Sequence, residues 1–345
     1  MMRVCIDAKS LMPPRAGVAR YVEGLLAGLA SVSHPDVEIS ALSPAKPRRT
    51  FVWVAWDLQW ATAGRYDLFH FPFYYMPLAP RCATVLAIHD VLILEHPEWF
   101  HRSWSSPIRM LMPRSARRAD AVVTSSECVA ASIRDRCRVP GDRIHVIPYG
   151  VDPGRFSPAT PEALSAARRA FRLERPFVLQ LGAIEIRRGV DLALRATEEL
   201  RREFRDLELV LAGPVRSHLP ELNSPPSWVR RLGYVEDDAL PALMGGAAAV
   251  LAPSRGEGFD LPVLEALACG AAVVASDIPP HLEHFRSNVA VFESGSAESC
   301  AAALQHVLAD SGLAASLRSA GPQLAAGFTW EDAARRHLDL WQQLR

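Results

Sequence analysis

One segment, near residue 260, combines local signals in an order that few folds accommodate. An apolar run, AAAVLA at 247–252, precedes a Gly-containing turn that begins with Glu257. A short helical pattern follows, with Pro262 in a first turn that needs no N–H there and Gly270 at a helix end. A second apolar run, AAVVA at 271–275, completes the unit. This order predicts a strand, a loop, a helix and a parallel strand, in a right-handed βαβ crossover of a buried sheet.

The loop of this unit places backbone amides between two carboxylates. We expect the amides of Gly258, Phe259 and the first helical turn to face the space above the sheet. The positive end of the helix dipole lies behind them, and this arrangement favours a phosphate group. Glu257 and Glu265 flank the amides and are suited to bind hydroxyl groups. A sugar nucleotide carries both kinds of group, so the segment predicts a site for one.

Composition restricts the class of protein. A chain of 345 residues, 49% apolar and 22% charged, is typical of a globular protein with two domains. Its 38 basic and 38 acidic residues balance, which argues against a nucleic-acid partner. Six cysteines without C-x-x-C spacing indicate neither a zinc site nor a disulfide scaffold. Neither a signal peptide nor a spanning run of roughly 20 apolar residues is present, so we expect a cytoplasmic protein.

Short β-rich runs alternate with helical patterns along the chain, which is typical of an α/β fold. The predicted strands are 3–7, 37–42, 84–88, 121–124, 144–147, 177–181, 208–212, 247–252 and 271–275. The predicted helices are 18–31, 104–118, 127–137, 190–204, 237–244, 262–269 and 297–309.

These elements predict two Rossmann-like, doubly wound domains. The first covers residues 1–152, a Pro-containing linker covers 153–174, and the second covers 175–330. A final helix at 331–345 is expected to pack back on the first domain. Ligands of doubly wound sheets bind at the carboxyl ends of the strands, so we expect the two domains to face each other across a ligand cleft.

Several short motifs occur in the order found in one protein family. They are IDA at 6–8, GVARY at 17–21, IHD at 88–90, VTSSE at 123–127, IPYGVD at 147–152, LGYV at 232–235, SDIP at 276–279 and FTWE at 328–331. Together with EGFDLPVLE at 257–265, they resemble the E-x7-E type of retaining glycosyltransferases of the fourth family, also called glycosyl transferases group 1. The resemblance spans nearly the whole chain, and the family, which includes many mannosyl- and glucosyltransferases, makes the chain mannosyltransferase-like.

The resemblance implies a GT-B architecture and transfer of a hexosyl group with retention of configuration. The donor would be a nucleotide diphospho-sugar, GDP-mannose first and a UDP-sugar second, with no cofactor and no metal. The acceptor would be a glycan or a lipid-linked glycan in polysaccharide or glycoconjugate synthesis. Peripheral contact with the inner face of the membrane would be weak at most.

Two alternatives come from other classes. One is a catalytically silent relative that binds a nucleotide sugar or a partner protein, because Ala19, Gly189 and Asp260 depart from the family pattern. The other is a nicotinamide oxidoreductase, which needs a G-x-G-x-x-G after an early strand. The sequence contains no such motif there.

By resemblance, three residues take catalytic roles. Glu257 would contact the donor sugar, Arg188 would stabilise the departing diphosphate, and His89 would lie near the donor sugar. The donor-binding residues would be Arg187, Gly182, Gly258, Phe259, Asp260, Leu261 and Glu265. The acceptor or diphosphate side would hold Gly17, Arg20, Tyr21 and His70. The plainer readings are solvated loop arginines, exposed acids and a histidine with a structural hydrogen bond.

Asp260 stands where the family usually has glycine. An aspartate adds a side chain and a negative charge beside the expected phosphate. It is also a favoured residue at a helix N-terminus, where its carboxylate would bind amides that a phosphate otherwise uses. The sequence therefore predicts either an altered phosphate site or an N-cap.

Overall fold

The computed structural model describes residues 1–13, 17–46, 49–61, 64–77, 79–216 and 222–345. The chain forms two compact units. The first consists of Met1–Gly150 together with Phe328–Arg345, and the second is Val151–Gly327. Each unit contains one six-stranded, fully parallel sheet with helices.

The first unit has the strand order β2-β1-β3-β4-β5-β6. Its strands are β1 (Met2–Asp7), β2 (Val37–Leu42), β3 (Leu68–Phe71), β4 (Ala83–Ala87), β5 (Ala121–Thr124) and β6 (Ile144–Val146). Its first helices are α1 (Gly17–Ser31), α2 (Thr50–Val52), α3 (Leu58–Ala61), α4 (Leu92–Glu95), α5 (Arg102–Arg118) and α6 (Glu127–Cys137), with a π-helical turn (Trp53–Asp57) between α2 and α3.

The second unit has the strand order β12-β11-β10-β7-β8-β9. Its strands are β7 (Phe177–Leu181), β8 (Glu208–Ala212), β9 (Val229–Gly233), β10 (Ala249–Ala252), β11 (Val273–Ser276) and β12 (Ala290–Phe292). Its helices are α7 (Pro161–Phe171), α8 (Val190–Leu200), α9 (Leu240–Gly246), α10 (Leu261–Ala268), α11 (Pro279–His284), α12 (Ala297–Ala309) and α13 (Ser311–Ala325). A last helix, α14 (Trp330–Gln343), belongs to the first unit.

The predicted βαβ unit is present in the second sheet. Strands β10 and β11 are parallel, with Val250 opposite Val273, and α10 connects them. Pro262 lies in the first turn of α10, and Gly270 follows the helix with φ +68°. The local signals therefore predicted this crossover correctly.

The order of the second sheet fixes where a ligand can bind. The order in which strands are added reverses between β7 and β10, since β8 and β9 follow on one side of β7 and β11 and β12 follow on the other side of β10. The carboxyl ends of β7 and β10 therefore border a topological switch point, where doubly wound sheets form their ligand crevices.

Helix α14 packs against α1 through glycines. A Cβ atom built on Gly24 would overlap the Trp330 ring, and one on Gly28 would overlap the Trp330 carbonyl. Gly150 meets the backbone of Trp330 in the same way. The absence of side chains at these positions allows the close approach of the two helices.

A buried polar chain lies beneath this contact. The Tyr21 hydroxyl is 3.0 Å from His70 Nε2 and 3.0 Å from His337 Nε2. His337 Nδ1 donates to the Ala333 carbonyl at 2.7 Å, so its Nε2 accepts the Tyr21 proton. The Tyr21 oxygen then accepts from His70. Burial, which disfavours the charged ring, lowers the pKa of His337 to about 4.

The buried hydrogen bonds of Tyr21, His70 and His337 predict that the first unit is less stable in acid. The unfolded His337 binds a proton below about pH 6.5, whereas the folded ring stays neutral until about pH 4. Stability is therefore complete above about pH 6.5 and falls as the pH drops toward 4, by about 3 kcal/mol for this residue. Urea unfolding across this range should show the decline, and His337→Gln should reduce its slope. An equal slope in the variant would contradict the assignment.

None of the helices in the described residues has both the length and the apolar sequence that a bilayer span requires.

Candidate functional site

A small pocket lies at the switch point of the second sheet. Its lining comes from the carboxyl ends of β7 and β10 and from the start of α10: Gln180, Leu181, Arg188, residues 250–254, Asp260, Pro262 and Val263. The predicted donor residues Arg188 and Asp260 therefore share one pocket.

The turn after β7 holds the arginines in place. Gly182 has φ +102°, and a Cβ there would lie 3.3 Å from Arg188 Cζ, so the guanidinium lies close over this glycine. Gly189 has φ +65°, and a Cβ there would overlap the Pro253 carbonyl. The Gln180 side chain donates to the Arg188 carbonyl at 2.7 Å. Only glycine fits at Gly189, because the loop after β10 packs directly against it.

Glu257 connects both arginines. Its Oε2 is 3.0 Å from Arg187 Nη1, and its Oε1 is 3.3 Å from Arg188 Nη1. The Ser254 hydroxyl donates to Oε1 at 2.9 Å. Arg187 also pairs with Glu185 at 2.8 Å. The predicted catalytic pair Glu257 and Arg188 is thus in direct contact, and neither is a solvated surface group.

A third arginine, Arg255, connects the two loops to each other. Arg255 forms a bidentate ion pair with Asp191, at 2.8 and 2.7 Å. It also donates to the Ile186 carbonyl at 2.7 Å, and its backbone N–H donates to the Arg187 carbonyl at 2.9 Å. These bonds hold the turn that carries the arginines against the loop that carries Glu257.

The N-cap prediction for Asp260 is wrong. Asp260 occupies the N-cap position of α10 in the left-handed region, with φ +77°, and its side chain makes no capping hydrogen bond within the described residues. Its carboxylate instead contacts His281 Nε2 at 3.1 Å and Arg188 Nη1 at 3.4 Å. These contacts are buried in the lining of the pocket, and the carboxylate makes them in place of a capping hydrogen bond.

The first turn of α10 presents fewer amides to a phosphate than we expected. Pro262 has no N–H, and the N–H of Val263 bonds to the Asp260 carbonyl at 3.0 Å. Phe259 is buried, and its ring packs against Phe285 with a centroid separation of 5.6 Å. Glu265 is buried one turn into the helix. Gly258 and Leu261 complete the segment on either side of Asp260.

The predicted residues of the first unit lie in and around α1 and the strand ends. Gly17 is the exposed first residue of α1, and Arg20 is half-buried in the same helix, within the predicted helix 18–31. Tyr21 and His70 are buried in the polar chain described above. Their assignment to the acceptor side stays a prediction.

Both ring nitrogens of His89 are occupied. Nε2 donates to the Pro72 carbonyl at 2.9 Å, and Nδ1 accepts from the Tyr149 hydroxyl at 2.5 Å. Burial lowers the pKa of His89 to about 4, so the ring is neutral at physiological pH. It therefore has the character of a fixed polar group rather than of a general base.

Several site residues were missed at the level of sequence. Ser254, Ser276 and His281 lie beneath Glu257 and Asp260, and Asp191 and Arg255 form the clip between the loops. Ser276 falls inside the SDIP motif at 276–279, yet no spacing rule connects His281 to a carboxylate 21 residues earlier.

Family profiles match both halves of the chain. The profile described as Glycosyltransferase Family 4 matches residues 18–155. The profile described as Glycosyl transferases group 1 matches residues 164–324. The second match contains the whole pocket.

Two curated relatives are named as a mannosyltransferase and a glycosyltransferase. The chain is 26% identical to the O-antigen chain mannosyltransferase B of Escherichia coli over 83% of this chain and 77% of the relative. It is 31% identical to a D-inositol 3-phosphate glycosyltransferase of Salinispora arenicola over 65% of this chain. The matched part spans only 54% of that second relative.

Solved structures show the same fold over the full chain. A sucrose-phosphate synthase from Thermosynechococcus elongatus superposes with a TM-score of 0.78 at 19% identity, covering 100% of this chain and 99% of that chain. Anabaena HepE in complex with UDP-glucose superposes with a TM-score of 0.77 at 18% identity, covering 100% of both chains.

Proposed function

We propose that this chain, which belongs to the family 4 type of glycosyltransferases with the GT-B fold, transfers a hexosyl group from a nucleotide diphospho-sugar with retention of configuration. The second unit binds the donor, and the first unit binds the acceptor, on the side of Gly17 and Arg20. The proposal rests on the chemistry of the pocket at the switch point.

One observation carries the proposal. The Nε–H of Arg188 is buried and has no hydrogen-bond partner among the described residues. A buried donor without a partner costs about 1–3 kcal/mol, so it persists where a ligand supplies the acceptor. Arg188 lines the pocket at the point where a doubly wound sheet binds its ligand, and a guanidinium binds phosphate oxygens bidentately. A diphosphate matches these requirements.

The arrangement suits the charge changes of glycosyl transfer. As the bond to the sugar breaks, negative charge grows on the diphosphate, and Arg187 and Arg188 stabilise it. Positive charge develops at the anomeric carbon, and Glu257 is placed to stabilise it and to bind sugar hydroxyls. Glu265 binds the ribose. The acceptor attacks from the face that the diphosphate leaves, which retains the configuration, and no metal takes part.

Mannose is the donor sugar that we propose. The Escherichia coli relative is named as an O-antigen chain mannosyltransferase, and a second group of relatives is named as serotype-specific mannosyltransferases. GDP-mannose is therefore our first donor, and UDP-sugars are second because HepE was solved with UDP-glucose. The acceptor is a glycan or a lipid-linked glycan, reached from the cytoplasm with weak peripheral membrane contact at most.

A catalytically silent relative is the second candidate. Its motivation is that the chain departs from the family pattern at Ala19, at Asp260 and, in the turn after β7, at Gly189. The left-handed backbone at this position and the nearby Pro253 carbonyl explain the glycine without any loss of activity. The geometry therefore favours an active enzyme.

The test combines a donor panel with one variant. GDP-, UDP-, ADP- and dTDP-sugars are added in a thermal-shift assay, with NAD as the control. A donor at about 100 times its Kd adds about 2.7 kcal/mol of stability, so GDP-mannose is expected to raise Tm. In the transfer assay, Glu257→Gln is expected to lower kcat by about 100-fold.

Stabilisation by NAD alone would contradict the proposal. Donor binding by wild type with no transfer and no donor hydrolysis, across a panel of lipid-linked and glycan acceptors, would favour the silent relative.

A further inference from the structure

Asp260 and His281 form a buried pair at the base of the pocket. His281 is fully buried on α11, and the Asp260 side chain is 2% exposed. The Asp260 Oδ2 atom lies 3.1 Å from His281 Nε2. The other oxygen, Oδ1, lies 3.4 Å from Arg188 Nη1. The pair therefore connects α11 with the arginine assigned to the donor diphosphate.

Hydrogen-bond partners determine the protons on this pair. His281 Nδ1 lies 2.9 Å from the Ser276 carbonyl, which only accepts, so Nδ1 carries a proton. The Ser276 hydroxyl directs its hydrogen to the Ser254 carbonyl at 2.6 Å and cannot replace that bond. A second proton must lie between Nε2 and the Asp260 carboxylate, because otherwise two acceptors would face each other. The pair therefore holds two protons and has no net charge.

The second proton resides on the imidazole. Burial raises the pKa of Asp260, but the hydrogen bond from His281 and the charge of Arg188 outweigh it and lower the pKa below its usual value. Asp260 is thus a carboxylate, and His281 is an imidazolium. The other charged groups around the pair are Arg187 from the turn after β7 and Glu257 from the loop after β10. On α11 itself, Glu283 and His284 lie 3.6 Å apart.

We propose that His281 is a positioning residue that neutralises Asp260, so that Asp260 orients Arg188 without adding net negative charge where the donor diphosphate binds. This inference rests on the proposed donor site. Without the imidazolium, the Asp260 carboxylate would repel the diphosphate. With it, Asp260 holds one edge of the Arg188 guanidinium by a hydrogen bond and leaves the Nε–H for the ligand.

The backbone conformation of Asp260 also supports a specific role for its side chain. A non-glycine residue at φ +77° carries a conformational cost that glycine would avoid. The Asp260 side chain does not cap α10, so its buried contacts with His281 and Arg188 are what offset this cost.

Binding of GDP and UDP to three variants tests the proposal at neutral pH by calorimetry. His281→Gln leaves the Asp260 charge without its counter-ion and should weaken nucleotide binding about tenfold. Asp260→Asn removes the charge and the second proton together, since its amide can donate to a neutral ring, and should lower nucleotide affinity less than His281→Gln does. The double variant Asp260→Asn/His281→Gln should recover the affinity that His281→Gln loses, because the unpaired charge is gone.

Nuclear magnetic resonance of the nucleotide-free protein tests the protons directly. The His281 resonance, identified by its loss in His281→Gln, should show protons on both ring nitrogens in wild type and on Nδ1 alone in Asp260→Asn. A neutral ring in wild type would overturn the proposal, as would wild-type affinity in His281→Gln or no recovery in the double variant. If wild type bound neither GDP nor UDP, the donor site itself would fail, while the ring protons would still decide the state of the pair.

Discussion

Replacing Arg188 by glutamine is expected to lower kcat for hexosyl transfer by about 100- to 1,000-fold. In the proposed mechanism, the guanidinium stabilises the negative charge that develops on the departing diphosphate. Removal of one such hydrogen-bond donor costs about 2.7–4 kcal/mol of transition-state stabilisation. Arg188 also lies between two carboxylates, at 3.3 Å from Glu257 and 3.4 Å from Asp260. The variant leaves both acids without this partner, so donor affinity should fall as well.

Steady-state kinetics with the donor identified by the panel checks this prediction. Arg188→Lys keeps the charge but removes Nε and the planar fork, so it should recover only part of the loss. Arg202→Gln is the matched control, because Arg202 is exposed in the same unit, just after α8, and away from the pocket. A variant at Arg188 with wild-type kcat and KM would show that the diphosphate is bound elsewhere.

Replacing Trp330 by alanine is expected to destabilise the first unit by about 3–5 kcal/mol. Trp330 is 6% exposed, and its ring stacks on Tyr149 with a centroid separation of 6.1 Å. Gly24 and Gly28 of α1 lie directly against Trp330. The cavity left by removal of the indole ring therefore cannot close unless α14 moves. The lost transfer free energy and the cavity both contribute to this cost. Urea unfolding followed by circular dichroism measures the change.

Trp56→Ala is the matched control for this variant. Trp56 is 66% exposed in the same unit, and surface substitutions usually change stability by no more than about 0.5 kcal/mol. Gly28→Ala tests the same contact from the other side, because the added methyl group overlaps the Trp330 backbone and should cost about 1–3 kcal/mol. Stability of Trp330→Ala equal to that of the control would contradict the packing of α14 on α1.

Much of the fold was predictable because its signals are local. The predicted strands 37–42, 121–124, 177–181 and 208–212 agree residue for residue with β2, β5, β7 and β8. A buried parallel strand reads as a nearly continuous apolar run, as β5, β7 and β8 do, whereas the edge strand β2 (VEISAL) alternates apolar and polar residues. The predictions missed β3, β9 and β12, since LFHF contains a histidine, VRRLG contains two arginines and AVF has only three residues.

The candidate site, like the fold, has a part that the sequence predicted and a part that it did not. Glu257, Glu265 and the arginine pair were identified from motifs, because their chemistry and their positions after strands are properties of the sequence itself. Asp260 was expected either to alter the phosphate site or to cap α10, and its buried side chain makes no capping hydrogen bond among the described residues. Its partner is His281, 21 residues away, and a contact at that separation depends on which strands are neighbours in the sheet.

The sequence by itself determined the class of fold, the βαβ unit at 247–275 and the residue types of the candidate donor site. It did so because hydrophobic period, turn residues and motif order are read along the chain. Only the tertiary structure decided that Glu257 contacts both arginines, that Asp260 pairs with His281, and that Gly24 and Gly28 are the residues that Trp330 of α14 contacts. Those contacts join residues far apart in sequence, and their energies depend on burial and distance that exist only after the sheets have formed.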